Sequence, residues 1–355
     1  MGIGKLSLTG VEMIPSNDEK NLRLDKSIMQ LLEIFGDIRR PHIVRDMILS
    51  ALKAGQEDDG RSDLKLMNTT LKEMRYTSKI FSPYRNLKKV TVFGSARTQI
   101  DHPLYRMAYD LGKKLSEQGY MVITGGGPGI MQAISEGAGP DQSFGVSIRL
   151  PFEQNANMTL DGNPKNIMYK YFFNRKVAFL KESDAIAIFP GGFGTLDEGM
   201  ETLTLLQTGK RNPLPLIFMD VPGGVYWQKF FDFCRNPLLE SEYISASDFS
   251  LFETVDDIDS AVEKINRFYY RYHSLRYLRN KLLLRLKTEV EMRRIEELKE
   301  KFADILTQGG DIRLSGPFPE EMEEPEIRHL PRLVIDFNKK KFGRLKALID
   351  AINQD

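Results

Sequence analysis

The 355-residue sequence holds a single cysteine, Cys234, and four histidines, His42, His102, His273 and His329. One thiol cannot form an internal disulfide or a cysteine zinc site, and histidines this scattered have no metal-ligand spacing. Net charge is almost absent as well. The 50 Lys and Arg residues against 49 Asp and Glu leave +1, so bulk electrostatics give no reason to expect a nucleic-acid or membrane partner. No stretch approaches the roughly 18 consecutive apolar residues of a spanning helix. The start, Met1-Gly-Ile-Gly-Lys-Leu6, lacks the apolar core of a signal peptide, so a reducing, cytoplasmic home is expected. The apolar fraction of 41% suffices for a full core. The length suggests two domains, or one large domain with extensions.

What is present falls into three parts. Residues 1–20 are polar and read as a loose arm. From Leu22 to about Ser78 apolar residues recur at helical spacing: Ile28, Leu31, Leu32, Ile34 and Phe35 form one stripe, and Ile43, Met47, Ile48 and Leu52 another. Short apolar strands begin only near Asn86. Residues 88–93, 120–124, 144–150, 184–189, 214–219 and 248–252 read as strands, separated by helical stretches that include 103–118, 169–181 and 195–207. Nearly continuous apolar strands alternating with helices predict an α/β fold, a doubly wound, Rossmann-like parallel sheet. The expected division is a helical extension over 1–85, a nucleotide-binding domain over 86–260 and a mainly helical extension over 261–355. In the last, residues 266–287 carry Arg267, Arg271, Arg276, Arg279, Lys281, Arg285 and Lys287 without one acid, interleaved with Phe268, Tyr269, Tyr270, Tyr272 and Tyr277. Such a stretch suits an anionic nucleotide effector. It also suits a helix that packs its aromatics on the core or a second subunit and turns its arginines to water.

Three glycine-bearing turns fall at strand ends: at Gly94, at Gly125 to Gly129, and at Gly191 to Gly194. The last is the most informative. Pro190 stops the strand, glycines let backbone N–H groups approach a ligand, and Thr195 is a good N-cap for a helix to Gln207, with Gly209 as its stop. Strand, glycine turn and helix N-terminus make an anion site, because unpaired N–H groups and the helix dipole meet there. Asp197 and Glu198 sit in the first turn of that helix. Acids there favour the dipole, so capping alone accounts for them; a carboxylate beside a phosphate cradle also suits chemistry on the sugar bearing that phosphate. Neither familiar nucleotide motif fits. Gly125-Gly-Gly-Pro-Gly129 has the wrong spacing for a dinucleotide fingerprint, and Gly194 is followed by Thr195-Leu196 where a Walker A loop needs Lys and then Ser or Thr.

These residues resemble the LONELY GUY family of phosphoribohydrolases, sometimes named lysine decarboxylases. The family signature P-G-G-x-G-T-x-x-E is complete from Pro190 to Glu198, and the Arg-Lys pair on the preceding helix is Arg175-Lys176. The Gly125 to Met131 stretch, the Phe93-Gly-Ser-Ala-Arg97 turn and the loop Leu150-Pro-Phe-Glu-Gln154 also match. The resemblance covers about residues 86–255, with one departure: Asn174 stands where many members carry Glu. It implies hydrolysis of the N-glycosidic bond of a nucleoside 5′-monophosphate, purine-type, to free base and ribose 5-phosphate. It implies Glu198 as the catalytic carboxylate and Arg175 as the catalytic cation. Around the substrate it implies Ser95, Gly125, Gly126, Gly127, Gly129, Met131, Lys176, Gly191, Gly192, Gly194, Thr195 and Glu201. The N–H groups of Gly192, Gly194 and Thr195 would take the phosphate. Glu201 would hold ribose hydroxyls or pair with Arg175, Met131 would line the base site, and Lys176 is equally well explained as solvated. No metal and no cofactor is called for. Family members are usually homodimers or larger. The alternative is a nucleotide-binding sensor on the same scaffold, which has less use for both Arg175 and Glu198. A pyridoxal-phosphate decarboxylase would need a Schiff-base lysine motif, and none is identifiable.

Overall fold

The structure, a computed structural model, describes residues 19–57, 60–150, 157–278, 281–321 and 324–354. The expected N-terminal arm up to residue 18, the family-like loop residues Pro151 to Gln154, and Arg279 lie outside the described residues. The chain divides into two units, residues 1–72 and 73–355. In the first, helices α1 (Glu19–Phe35) and α2 (Pro41–Glu57) close on a small core of Ile28, Leu32 and Leu49. The Arg45 guanidinium forks onto Asp25 at 2.8 and 2.9 Å. Helix α3 (Arg61–Phe81) follows, and its residues from Glu73 onward belong to the second unit. The boundary falls earlier than the expected 85 because Thr77 and Phe81 are built into the α/β core. The Thr77 hydroxyl meets that of Tyr169, and the Phe81 ring stacks on Phe144 at 4.3 Å.

The second unit carries the expected α/β fold. Its parallel strands are β1 (Lys89–Phe93), β2 (Met121–Thr124), β3 (Ser143–Ile148), β4 (Asn166–Tyr169), β5 (Ala185–Ile188), β6 (Leu216–Met219) and β7 (Glu253–Val255), in the order β4-β3-β2-β1-β5-β6-β7. The central strands are buried on both faces, which is why they read as unbroken apolar runs. Helices α4 (Pro103–Glu117), α5 (Ile130–Ala138) and α9 (Ile258–Phe268) contribute to the core on one face. Helices α6 (Phe172–Glu182), α7 (Phe193–Gln207) and α8 (Tyr226–Phe233) contribute to the core on the other. The strand order reverses direction between β1 and β5, the place where open α/β sheets bind ligands.

Three expectations are corrected. Residues 169–181 are not one helix: β4 is a short, partly exposed edge strand, so its four residues lack the apolar run that marks the others. Residues 248–252 are not a strand. A reciprocal capping box between Ser245 and Asp248 winds Ala246–Leu251 into a tight helical turn, and β7 starts after it. The C-terminal part is not mainly helical, nor is 266–287 a helix beyond Phe268. Strands β8 (Tyr272–Leu278), β9 (Lys281–Leu286), β10 (Ile312–Ser315) and β11 (Arg332–Ile335) form an antiparallel sheet, flanked by α10 (Met292–Lys301) and α11 (Phe342–Ile352). Leu282, Leu284 and Leu286 of β9 join the helices in one core.

The acid-free stretch misleads because its counter-ions arrive from downstream. Glu321 accepts from Arg285 Nε at 2.7 Å and from Arg332 Nε at 3.0 Å, all three side chains being buried. Glu324 accepts from Arg276 and Arg285, each at 2.9 Å. These arginines are thus matched within the chain. Removing one partner of a buried pair leaves an uncompensated charge, so Glu321→Ala is expected to cost about 3–5 kcal/mol. The half-exposed Glu324→Ala is expected to cost about 1 kcal/mol or less. Urea denaturation of both variants measures this; a Glu321 cost no larger than the Glu324 cost contradicts it.

Candidate active site

At the strand-order reversal the ends of β1, β2 and β5 turn toward one another. The Ser95 N–H donates to the Pro190 carbonyl at 3.1 Å, and the Ser95 carbonyl accepts from Ile130 N–H at 3.0 Å. One short turn thereby fixes the other two. At two positions the packing leaves no room for a side chain: a Cβ on Gly129, which has φ of +67°, would lie 2.3 Å from the Ser95 oxygen. One on Gly191 would lie 2.2 Å from the Thr195 hydroxyl. Above the turns is a cavity of about 860 Å³.

Helix α7 opens onto this cavity. Its N-cap is Gly192 rather than Thr195, because the first helical bond runs from Leu196 N–H to the Gly192 carbonyl at 3.1 Å. Thr195 is instead the third helical residue. The N–H groups of Phe193, Gly194 and Thr195 therefore have no intrahelical acceptor, and they gather at the positive end of the helix dipole. This arrangement is an anion cradle.

Beside it stand two opposed charges. Glu198, one turn into α7, is buried. Burial pushes its carboxyl up from 4.5 to about 7, against the pull of Lys176 and Arg175 and with a further push from Glu201 and Asp197. Arg175 reaches the cavity from α6. Its Nε donates to the Val146 carbonyl at 2.9 Å, its guanidinium lies 5.1 Å from the centre of the Phe179 ring, and burial lowers its pKa while Glu198 raises it. A Cβ on Gly125 would sit 2.4 Å from the Arg175 guanidinium, so that glycine makes the space the cation occupies. Helix α6 itself is held at its start by Glu73, whose carboxylate accepts from Lys170 N–H and from the Asn174 side-chain amide, both at 2.7 Å. Asn174 thus serves the brace under α6.

Most of the expected site residues come together. Ser95, Gly125, Gly126, Gly127, Met131, Arg175, Gly191, Gly192, Gly194, Thr195 and Glu198 all line the cavity, and Gly129 packs behind it. Lys176 and Glu201 do not line it. The partly exposed Lys176 ammonium is not on the cavity wall and bridges Asp197 and Glu201, each at 2.8 Å. Glu201 pairs with this lysine rather than with Arg175. The sequence reading missed Arg97, Ser147, Met168, Phe172 and Phe193 as lining residues. Ser147 and Met168 sit near the carboxyl ends of β3 and β4, a position that flags ligand contact once the strands are known. Among the described residues, no three His, Cys, Asp or Glu side chains are placed to hold a metal ion, and no helix is long and apolar enough to cross a membrane.

A family model described as "possible lysine decarboxylase" matches residues 131–265. An uncharacterized protein of Archaeoglobus fulgidus is 31% identical over 125 residues, covering 35% of this chain and 78% of that protein. A rice (Oryza sativa) protein, named a probable cytokinin riboside 5′-monophosphate phosphoribohydrolase, is 28% identical over 185 residues, covering 50% of this chain and 76% of the relative. The chain belongs to the LONELY GUY family. Among solved structures, a molybdenum cofactor binding protein from Rippkaea orientalis covers 51% of this chain and 96% of its own, at 21% identity and a TM-score of 0.36. The LONELY GUY signature from Pro190 to Glu198 is thus the segment that supplies both the cradle and the buried acid.

Glu198 gives this site a stability signature. A carboxyl whose folded pKa is raised binds its proton more tightly folded than unfolded. Its contribution is therefore fully present below about 4.5 and is lost as pH rises through about 7. That loss amounts to roughly 3 kcal/mol. Glu198→Gln removes it, so the variant is expected to overtake the wild type in stability above pH 7. Urea denaturation across pH 4–9 measures the difference, and parallel profiles contradict it.

Proposed function

We propose that this protein hydrolyses the N-glycosidic bond of a nucleoside 5′-monophosphate carrying a purine-type base, releasing the base and ribose 5-phosphate. One observation carries the reading: the buried carboxylate of Glu198 lies one helical turn from an anion cradle, inside the same cavity. A phosphate on the cradle N–H groups brings the attached ribose alongside that carboxylate. A site that only bound the nucleotide would gain nothing from burying an acid beside a phosphate.

The chemistry follows from the residues. As the bond breaks, its electron pair leaves with the base nitrogen and positive charge develops on the ribose C1′ and ring oxygen. The Glu198 carboxylate stabilises that charge and orients the water that adds to C1′. The water loses a proton, and the departing base takes one up. Arg175 is the fixed cation on the same wall, suited to the negative charge that develops on the leaving base. The name of the rice relative supports the reaction class. We infer, too, that the active form is a homo-oligomer. Phe172, Phe173 and Val177 of α6, with Phe193 of α7, leave exposed apolar surface at and beside the cavity wall, and a second copy would cover it.

Base release is measured on AMP, GMP, IMP, CMP and UMP with the wild type and Glu198→Gln. Turnover of the purine nucleotides is expected, falling by about 10²–10⁴-fold in the variant. The ionised carboxylate is the active form, so kcat/KM is expected to rise with pH to about 7 and then level. Nucleotide binding without base release contradicts the hydrolase and leaves a sensor. Light scattering is expected to show a dimer or larger species that Phe173→Glu breaks up; a monomeric wild type contradicts the oligomer.

A further inference from the structure

The signature turn is held from outside the signature. Tyr226, the first residue of α8, donates its hydroxyl to the Gly191 carbonyl at 2.6 Å. The preceding carbonyl, that of Pro190, is already taken by the Ser95 N–H. Two successive peptide planes of the turn are therefore pinned by their oxygens. In a trans peptide the C=O and the following N–H point in opposite directions, and the described chain has no cis peptide. Tying the Gly191 oxygen to Tyr226 turns the Gly192 N–H the other way.

That N–H finds no acceptor among the described residues, and Gly191 and Gly192 both line the cavity. A Cβ on Gly192 would meet nothing within 4 Å, so no neighbouring atom crowds that residue. A peptide between two glycines meets little steric resistance to flipping. A flip would replace the N–H with a carbonyl oxygen, which repels an anion. Tyr226 is itself firmly placed. The Asp220 carboxylate accepts from Val221 N–H at 2.8 Å and Tyr226 N–H at 3.2 Å. The tyrosine ring packs edge-on against Trp227 at 4.7 Å, and the indole N–H donates to the Met219 carbonyl at 2.9 Å.

We propose that Tyr226 is a positioning residue for phosphate binding: by holding the Gly191 carbonyl it aims the Gly192 N–H at the substrate's phosphate. The inference rests on the nucleotide reading of the cavity. Tyr226→Phe keeps the ring and removes only the hydroxyl. Titration calorimetry with AMP, ribose 5-phosphate and adenosine is the test, with a melting curve as the control for folding. Tyr226→Phe is expected to weaken AMP and ribose 5-phosphate about tenfold, to leave adenosine within about twofold, and to raise KM with kcat little changed. Gly192→Pro deletes the N–H itself. In that background Tyr226→Phe is expected to have no further effect.

Unchanged phosphate affinity, equal losses for AMP and adenosine, or additive losses in the double variant overturn the proposal. Should Tyr226→Phe fail to fold, Gly192→Pro against Gly192→Ala decides. A loss confined to proline and to phosphorylated ligands supports the proposal, and equal behaviour overturns it. A wild type that binds ribose 5-phosphate yet releases no base fails the hydrolase reading, while the Tyr226 comparison still stands or falls on binding.

Discussion

The site depends on the two backbone hydrogen bonds of Ser95. Its N–H is spent on the turn after β5 and its carbonyl on the start of α5, so three strand ends form one rigid floor. The sheet makes this possible, because β1 and β5 are neighbours whose connections run in opposite directions. Glycine follows from the same closeness: at Gly129 and Gly191 an added methyl would strike backbone or side-chain atoms of the neighbouring turn. The anion cradle stands on this floor: the N–H groups of Phe193, Gly194 and Thr195, which have no intrahelical acceptor, belong to residues that line the cavity.

Placing Glu198 above the floor opposes folding. Desolvation alone would keep the carboxyl protonated, and the structure counters it with two cations of different kinds. Arg175 is anchored by a backbone carbonyl and a ring, and it fills the space that Gly125 leaves open. Lys176 is held by Asp197 and Glu201, so it tempers the field at Glu198 without entering the cavity. The result is a carboxyl balanced near neutrality. Perturbed titration of this kind, in a cleft and with named charge partners, is a mark of chemistry more often than of architecture.

How much of this was legible in the chain varied with the physics involved. Strands buried on both faces announced themselves as apolar runs, and the turn glycines stood out as clusters at strand ends, although crowding requires glycine at Gly129 and Gly191 and not at Gly192 or Gly194. The four residues of β4, partly exposed at a sheet edge, left no such mark. The C-terminal sheet was hidden because Arg285 and Arg332 look like surface residues until Glu321 is seen between them. Glu198 and Arg175 were legible through a motif. Tyr226 was not, since a hydroxyl bonded to a main-chain carbonyl 35 residues away constrains no neighbouring letter. Glu201 meets Lys176 and not Arg175, the cation suggested for it as one alternative, because helical spacing does not say which of two adjacent cations an acid will meet.

The central claim is a spatial one: phosphate on the turn from Gly191 to Thr195, and the sugar against Glu198. The most direct measurement is a crystal structure of the Glu198→Gln protein with AMP bound and uncleaved. The account requires the phosphate oxygens on the N–H groups of that turn and the anomeric carbon within about 3.5 Å of the residue 198 side chain. A nucleotide bound in the reverse sense, with its base on the glycine turn and its phosphate at the far wall of the cavity, would contradict it.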